Sequence, residues 1–240
     1  MNYINLNDTY LLVKRLTATG NIYGLQNDTD SHLIKNSEWG AVAYLSKSQY
    51  GLSSIDIAIN SRNLYNDTKN VYAGTGYNNQ KQEWNDTHIQ FKNSASTTGN
   101  IYGVYDMSGG TWKRTAAFVF NNSGNLARYG ASIITGGKTS TKYVEAYASN
   151  ETSSTNTDDL RMEANYNANS KIYGNAIKET SITGKGLSSW NLDYSEFPEG
   201  GSPFIVRGGS LWVDSAAGVC AYNRSYGTSD YFSGFRAILV

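Results

Sequence analysis

The sequence predicts an α+β fold with few helices, short strands and much irregular structure. Three observations support this class: one short helical pattern, frequent turn signals, and two apolar strands near the C-terminus. The 240 residues include 24 glycines and only two prolines, and Gly-Gly, Ser-Gly and Asn-Asp pairs mark turns along the chain. The length suits one large or two small domains, and we expect a single domain over residues 1–240.

Residues 37–46 carry the clearest helical pattern. Ser37 is a suitable N-cap residue, and Trp39 and Ala43 share one helix face four residues apart. A second, weaker helix is expected near residues 53–60.

Two apolar segments near the C-terminus predict buried strands. Residues 204–206 are apolar, Arg207 follows them, and a glycine pair then ends the segment. Residues 235–240 form the second segment, which we expect to be paired inside the sheet because an exposed apolar edge aggregates. The C-terminus is therefore expected to be structurally central.

Residues 121–170 are polar and nearly without periodicity. A stretch of this length is too long for an ordinary connection. We expect a polar insertion, placed at residues 121–200, with a little structure of its own.

Composition narrows the function classes. Twenty Lys and Arg balance twenty Asp and Glu, whereas nucleic-acid-binding domains usually carry a basic excess. No apolar run approaches the roughly 18 residues of a membrane span. One cysteine, Cys220, and two histidines, His32 and His88, argue against a disulfide framework, a metal site or a bound cofactor.

Residues 210–233, between the two predicted strands, mix small residues with large, chemically unrelated side chains. This composition is typical of recognition surfaces, where rigid aromatics supply contact area and polar groups supply hydrogen bonds. The alternative is an ordinary pair of solvent-exposed loops. The candidate ligand-binding residues are Leu211, Trp212, Val213, Asp214, Cys220, Tyr222, Asn223, Arg224, Ser225, Tyr226, Asp230 and Tyr231.

Three motifs resemble the formylglycine-generating-enzyme-like domains, a branch of the C-type-lectin-like fold. NSEWGAVAY at residues 36–44 resembles the family's helix, and GVYDMSGGTW at 103–112 resembles its G-V-x-D-M-x-G-N-V-W turn. RGGS at 207–210 and GFR at 234–236 resemble its ending. The motifs occur in the family's order, although the family's opening strands are short or missing. The resemblance implies the C-type-lectin-like fold.

A sub-group is similar in more detail: the variable proteins of diversity-generating retroelements, which include phage receptor-binding proteins. There, reverse transcription diversifies the interval that corresponds to residues 207–236 by changing template adenines, mostly in AAC and AAT codons. These codon changes produce a limited set of amino acids, and the candidate residues belong to that set. Trp212 is the exception, because its codon cannot arise by adenine changes alone. The resemblance implies a protein or other macromolecular ligand, a phage-tail or bacterial cell-surface location, and compatibility with a homo-oligomer.

Other motif residues are expected to support the fold: Asp106, Trp112, Arg207, Gly208, Gly209, Phe235 and Arg236. The glycine pair can adopt conformations closed to other residues. Trp112 and Phe235 are expected as core anchors. We expect a buried acceptor for each arginine, with Asp106 as the nearest-looking partner.

The resemblance does not extend to a catalytic site. The formylglycine-generating enzymes use two cysteines shortly after R-G-G-S to bind copper, whereas this chain has Cys220 alone. The family's Trp-Glu pair is Trp112-Lys113 here. We therefore expect no enzyme activity. Two alternatives remain: a non-diversified adhesive or structural module of the same fold, and a degenerate enzyme-like protein with a small-molecule pocket.

Trp84-Asn85-Asp86 spells a triplet found in calcium-dependent lectins. The E-P-N or Q-P-D triplet of those lectins is missing, so an Asx turn is favoured over a metal site.

Overall fold

The computed structural model describes residues 3–26, 28–59, 95–139 and 142–240. The Trp84-Asn85-Asp86 triplet and His88 lie outside the described residues.

The described residues form an α+β fold, which confirms the predicted class. The α-helices are α1 (Leu6–Lys14), α2 (Asn36–Ser46), α3 (Gly124–Thr139) and α4 (Asp158–Asn169), and two 3₁₀ helices cover Trp190–Leu192 and Leu211–Ala216. The strands are β1 (Ser31–Leu33), β2 (Trp112–Phe120), β3 (Glu145–Ala148), β4 (Lys185–Gly186), β5 (Ser195–Glu196), β6 (Phe204–Arg207), β7 (Tyr222–Ser225), β8 (Ser233–Phe235) and β9 (Ala237–Leu239). None of these helices combines the length and hydropathy that crossing a bilayer requires.

The main sheet has the strand order β3-β2-β6-β7-β5-β4, and β8 pairs with β2. Strand β6 is antiparallel to both of its neighbours, β2 and β7. Strands β3 and β8 each run parallel to β2. Because β6 and β7 are paired side by side, the chain that connects them emerges at one end of the sheet, next to the glycine pair.

Strand β2 is buried on both faces of the sheet. Ala116 and Phe118 belong to the core cluster that α1 and α3 cover. Ala117 and Val119 belong to the cluster that α4 covers. Successive residues of a strand point to opposite faces, so the part of β2 that is covered on both sides, residues 116–119, is a continuous apolar run.

Residues 121–170 are more structured than predicted, because they contain α3, β3 and α4. Helix α3 supplies Leu126 and Ile133 to one core cluster, and α4 supplies Tyr166 to the other. Helix α4 was not recognisable from apolar periodicity because its inner face is partly polar. Its Asn165 and Asn169 are buried and bond to the backbone at the end of β3. The boundaries drawn for an insertion at 121–200 stay a prediction.

Helix α2 confirms the helix predicted at 37–46, but its N-cap residue is Lys35 rather than Ser37. The Glu38 carboxylate closes the first turn by accepting from the Lys35 N–H at 2.9 Å. The second predicted helix is wrong for residues 53–59, where a turn and a bend at 53–55 are followed by irregular chain. Ser53 has a φ of 55°, which a right-handed helix excludes.

The predicted C-terminal strand divides into two strands. β8 joins the main sheet, whereas β9 pairs with β1 in a separate two-stranded sheet. Leu239 remains 49% exposed. The prediction that these residues pair is confirmed, but a central position for the last strand is wrong. The short strand β1, which was not predicted, covers the edge of β9.

The three motif segments meet at Gly208, which has a φ of 87°. A Cβ atom at this position would lie 3.0 Å from the ring of Trp39 and 3.1 Å from the carbonyl oxygen of Met107. The Gly109 N–H donates to the Gly208 carbonyl at 2.7 Å. The Trp39 indole N–H donates to the Val219 carbonyl at 2.8 Å. This junction fixes the glycine turn and the chain beyond it.

We expect Gly208→Ala to lower the free energy of unfolding by about 3 kcal/mol. An L-residue in the left-handed region costs about 1–2 kcal/mol, and overpacking against Trp39 adds about 1–3 kcal/mol. Gly174 is the matched control, because it has a φ of 81° with nothing within 4 Å of an added Cβ. Gly174→Ala should lower the free energy of unfolding only by the cost of the left-handed backbone conformation, about 1–2 kcal/mol. Urea unfolding of both variants tests this, and equal losses would show that the junction is not tightly packed.

Candidate ligand-binding surface

A cavity of about 440 Å³ opens beside β6 and β7, and we call it the C-terminal cavity. It is lined by Trp112, Val206, Ser210, Trp212, Val213, Asn223, Arg224, Ser225, Tyr226, Thr228, Asp230, Phe232 and Ser233. The predicted ligand-binding residues that it brings together are Trp212, Val213, Asn223, Arg224, Ser225, Tyr226 and Asp230.

Aromatic side chains dominate the apolar part of the cavity. Trp112 is buried, whereas Trp212, Tyr226 and Phe232 are 45%, 57% and 39% exposed. The rings of Trp212 and Phe232 meet edge to face at 6.0 Å. Exposed aromatics around a concavity supply contact area at a small entropy cost, which is typical of protein-recognition sites.

Asp230 is held in place at the polar side of the cavity. Its carboxylate lies 3.2 Å from the guanidinium of the buried Arg114 on β2. It also accepts from the Phe232 N–H at 2.8 Å and the Ser233 hydroxyl at 3.0 Å. Burial lowers the pKa of Arg114, and Asp230 opposes that effect. Asp230 therefore fixes the loop that carries Phe232.

Arg224 is engaged by carboxylates rather than directed freely into the cavity. Its guanidinium donates to Glu196 at 3.0 Å, to Asp158 at 3.1 Å and to Glu199. Partial burial acts to lower the pKa of Arg224, but these hydrogen bonds raise it overall. The ion pairs join β7 to the first turn of α4 and stiffen this wall.

Two predicted surface residues, Cys220 and Tyr222, are buried, so the surface prediction is wrong for them. Tyr222 points into the core and donates from its hydroxyl to the Thr183 carbonyl at 2.9 Å. Burial raises the pKa of the Tyr222 hydroxyl and of the Cys220 thiol to about 12 each. Alternation along β7 explains the error at Tyr222, because Tyr222 and Asn223 point to opposite faces of the sheet.

The remaining predicted site residues are Leu211, Asp214 and Tyr231. Leu211 and Asp214 belong to the 3₁₀ helix, and their side chains are outside the described part. Tyr231 is 51% exposed and stacks on Tyr3 at 4.4 Å. Sequence reasoning did not select Phe232 for the site. Its position as a large aromatic between the R-G-G-S and G-F-R motifs was a usable signal.

The predicted supporting residues differ in their burial and in their partners. Trp112 is buried, and Phe235 is half-buried against the first core cluster. Arg236 donates to the Tyr105 carbonyl. Burial lowers the pKa of Arg236, and the Asp106 carboxylate opposes this. A hydrogen-bonding role for Asp106 stays a prediction.

Arg207 has a different environment from the predicted one. It is fully buried, and its guanidinium lies 5.5 Å from the centre of the Tyr222 ring. Burial lowers its pKa, and the groups that oppose this are Cys220, Tyr222, Tyr147 and Asp193 rather than Asp106.

Asp193 anchors the chain beneath the cavity. Its carboxylate accepts from the Cys220 N–H at 3.0 Å, and it packs so closely on Gly218 that a side chain there would overlap it. Burial raises the pKa of Asp193 to about 6, although the Cys220 N–H and the charge of Lys47 act in the opposite direction.

This raised pKa predicts a pH-dependent stability. Because the folded pKa lies above the ordinary value of 3.8, the folded state binds more protons between these values, and stability falls as the pH rises from 4 to 6. The loss from this group is up to about 3 kcal/mol. Asp193→Asn keeps an oxygen acceptor for the Cys220 N–H and should remove this part of the loss.

The measurement is urea unfolding of both proteins at pH 4 and pH 7. Asp159→Asn, which changes an exposed carboxylate, is the control and should follow the wild type. Parallel pH curves for the wild type and Asp193→Asn would contradict the raised pKa of Asp193 in the folded protein.

The cavity combines aromatic contact area with polar groups held by internal hydrogen bonds, an arrangement suited to binding a ligand. No protein-family model matches the chain, and a search of curated proteins finds no match either.

Proposed function

We propose that the chain is a ligand- or receptor-binding protein whose C-terminal cavity and rim contact a macromolecular ligand. We further propose that it is the variable protein of a diversity-generating retroelement, displayed on a phage tail or a bacterial cell surface. The main support for the proposal is an overlap between the motif-bounded interval and the cavity. The interval selected by the R-G-G-S and G-F-R motifs, residues 207–236, supplies most of the cavity lining.

The local architecture supports a platform that tolerates changes at its surface. The backbone beneath the cavity is held by the junction at Gly208, by Asp193 and by the pairing of β6 with β7. The side chains of Trp212 and Tyr226 extend from this frame toward solvent. Rigid elements that carry exposed side chains favour binding, because less conformational freedom is lost on association.

The C-type-lectin-like fold is part of the same proposal. Its support is the convergence of the three motif segments, which contact one another through Trp39, Met107, Gly109 and Gly208. These residues lie far apart in the sequence. The contact explains why the motifs would persist together in one fold.

The proposed ligand is a protein or other macromolecule on a cell surface. The balanced charge of the chain favours recognition through contact area over bulk electrostatic attraction, which argues against nucleic acid. A homo-oligomer would present several copies of the cavity, and this multivalency would strengthen weak single-site binding.

The two alternative functions use the same surface in different ways. A non-diversified adhesive module would bind one fixed ligand there. A degenerate enzyme-like protein would hold a small molecule, and the cavity volume lies within the roughly 300–1,000 Å³ of small-molecule sites. Its exposed aromatic rim favours a larger ligand over this last alternative.

The DNA around the gene tests diversification. We expect a reverse-transcriptase gene nearby and an imperfect repeat of the codons for residues 207–236 that differs at adenines. Differences spread over all four bases would contradict diversification and favour the adhesive module. Sequencing the genomic neighbourhood is the measurement.

Removal of the exposed aromatics tests the binding surface. The fluorescently labelled protein is applied to a panel of intact bacterial strains and followed by flow cytometry. We expect wild type to label at least one strain, and Trp212→Ala combined with Tyr226→Ala to reduce that labelling by about tenfold or more, since central aromatics dominate interfaces. The free energy of unfolding should change by less than about 1 kcal/mol, because both side chains are exposed.

The control variant combines Tyr102→Ala with Tyr173→Ala, which removes two highly exposed tyrosines that are not part of the cavity lining. It should label cells as wild type does, and protease treatment of the cells should remove the labelling if the ligand is a protein. Loss of labelling in both variants would contradict a binding role specific to the C-terminal cavity.

A further inference from the structure

A second cavity of about 560 Å³ lies where the parallel strands β2 and β3 end, and we call it the polar cavity. It is lined by Phe120, Asn121, Asn122, Ser123, Ser149, Glu151, Arg161 and Gly200. The register of the two strands ends at the pair Phe120 and Ala148, and α3 connects β2 to β3. Sites at the carboxyl ends of parallel strands are common ligand positions, because the loops diverge there.

Hydrogen bonds within the protein hold the loops of the polar cavity together. One oxygen of Glu151 accepts from the side-chain amides of Asn121 at 3.2 Å and Asn165 at 2.8 Å, and from the Gly200 N–H at 3.0 Å. The Asn125 amide donates to the Gly201 carbonyl at 2.7 Å. The chain after β2, the chain after β3 and the turn at Gly200 are thus tied to one carboxylate. Such a site is formed before any ligand arrives.

The polar cavity has one large apolar surface. Phe120 is the last residue of β2 and remains 56% exposed. Its ring lies 6.2 Å from that of the buried Phe118, so one side of the ring is supported by the core. The other residues of the lining offer amides, hydroxyls, a guanidinium and a carboxylate.

The charges around the polar cavity do not favour an anion. The Arg161 guanidinium lies 3.2 Å from Asp158 and 3.9 Å from Glu199. Glu151 adds a further carboxylate to the lining. A phosphate or sulfate group would therefore meet a guanidinium that is already paired with carboxylates, and the Glu151 carboxylate in the same lining. A neutral ligand avoids this repulsion.

We propose that the polar cavity binds a neutral sugar, independently of the ligand of the C-terminal cavity. A pyranose ring has an apolar face of C–H groups, which stacks on the Phe120 ring. Its hydroxyls both donate and accept hydrogen bonds. This suits the side-chain amide of Asn122 and the hydroxyls of Ser123 and Ser149, which lie in the lining. The sugar is a free monosaccharide or the end of a neutral surface glycan.

The test is saturation-transfer NMR with glucose, galactose, mannose, N-acetylglucosamine and rhamnose, followed by titration of the best sugar. We expect Phe120→Ala to weaken its binding by about three- to tenfold, the value of one aromatic contact. Asn122→Ala, at another exposed residue of the lining, should also weaken it. Phe232→Ala removes an exposed phenylalanine of the C-terminal cavity and is the matched control, with no effect expected.

Three results complete the test. Urea unfolding should show that all three variants are folded, and glucose 6-phosphate should bind more weakly than glucose. Tighter binding of a neutral oligosaccharide than of its terminal sugar identifies a surface glycan, and equal binding identifies the free sugar; both support the proposal. Absence of transfer to every sugar, or weakening by Phe232→Ala but not Phe120→Ala, would overturn it and leave the function of the C-terminal cavity unaffected.

Discussion

The close approach of the Trp39 ring to Gly208 is the constraint on which the rest of the structure depends. No side chain larger than hydrogen fits between them without displacing the ring or the Met107 carbonyl. The contact brings α2, the turn before β2 and the end of β6 to one point. The Trp39 indole also holds the Val219 carbonyl, so a single side chain organises both the glycine turn and the chain that returns from the cavity.

Beyond Gly208, some side chains of the C-terminal segment are buried in the core and others are exposed to solvent. Tyr222 fills the core side of β7, while Asn223 lines the cavity on the other side. Arg224 and Asp230 lie at the cavity, but each is bound by charged partners of the fold. Trp212 and Tyr226 are more exposed. A segment that varies in sequence can therefore keep its backbone, provided that its inward side chains and ion pairs remain.

The sequence predicted the fold class, helix α2 and strand β6, because each depends on a local pattern of apolar and turn residues. It did not predict α4, because the inner face of that helix carries Asn165 and Asn169, whose partners include the last residue of β3 and the residues just after it. It placed Cys220 and Tyr222 at the surface, because codon chemistry does not report whether a side chain is buried or, for Tyr222, which face of β7 it occupies. The polar cavity was missed for a similar reason, since its loops come together only through the strand pairing.

The central claim is that a stiff frame with a fixed interior carries an exchangeable surface. Saturation mutagenesis of residues 207–236, scored by protease resistance of each displayed variant, tests it most directly. The account predicts that Asn223, Ser225 and Tyr226 accept most substitutions, whereas Tyr222 and Gly208 accept few. Equal tolerance at Tyr222 and Tyr226, or general intolerance along the whole segment, would contradict it.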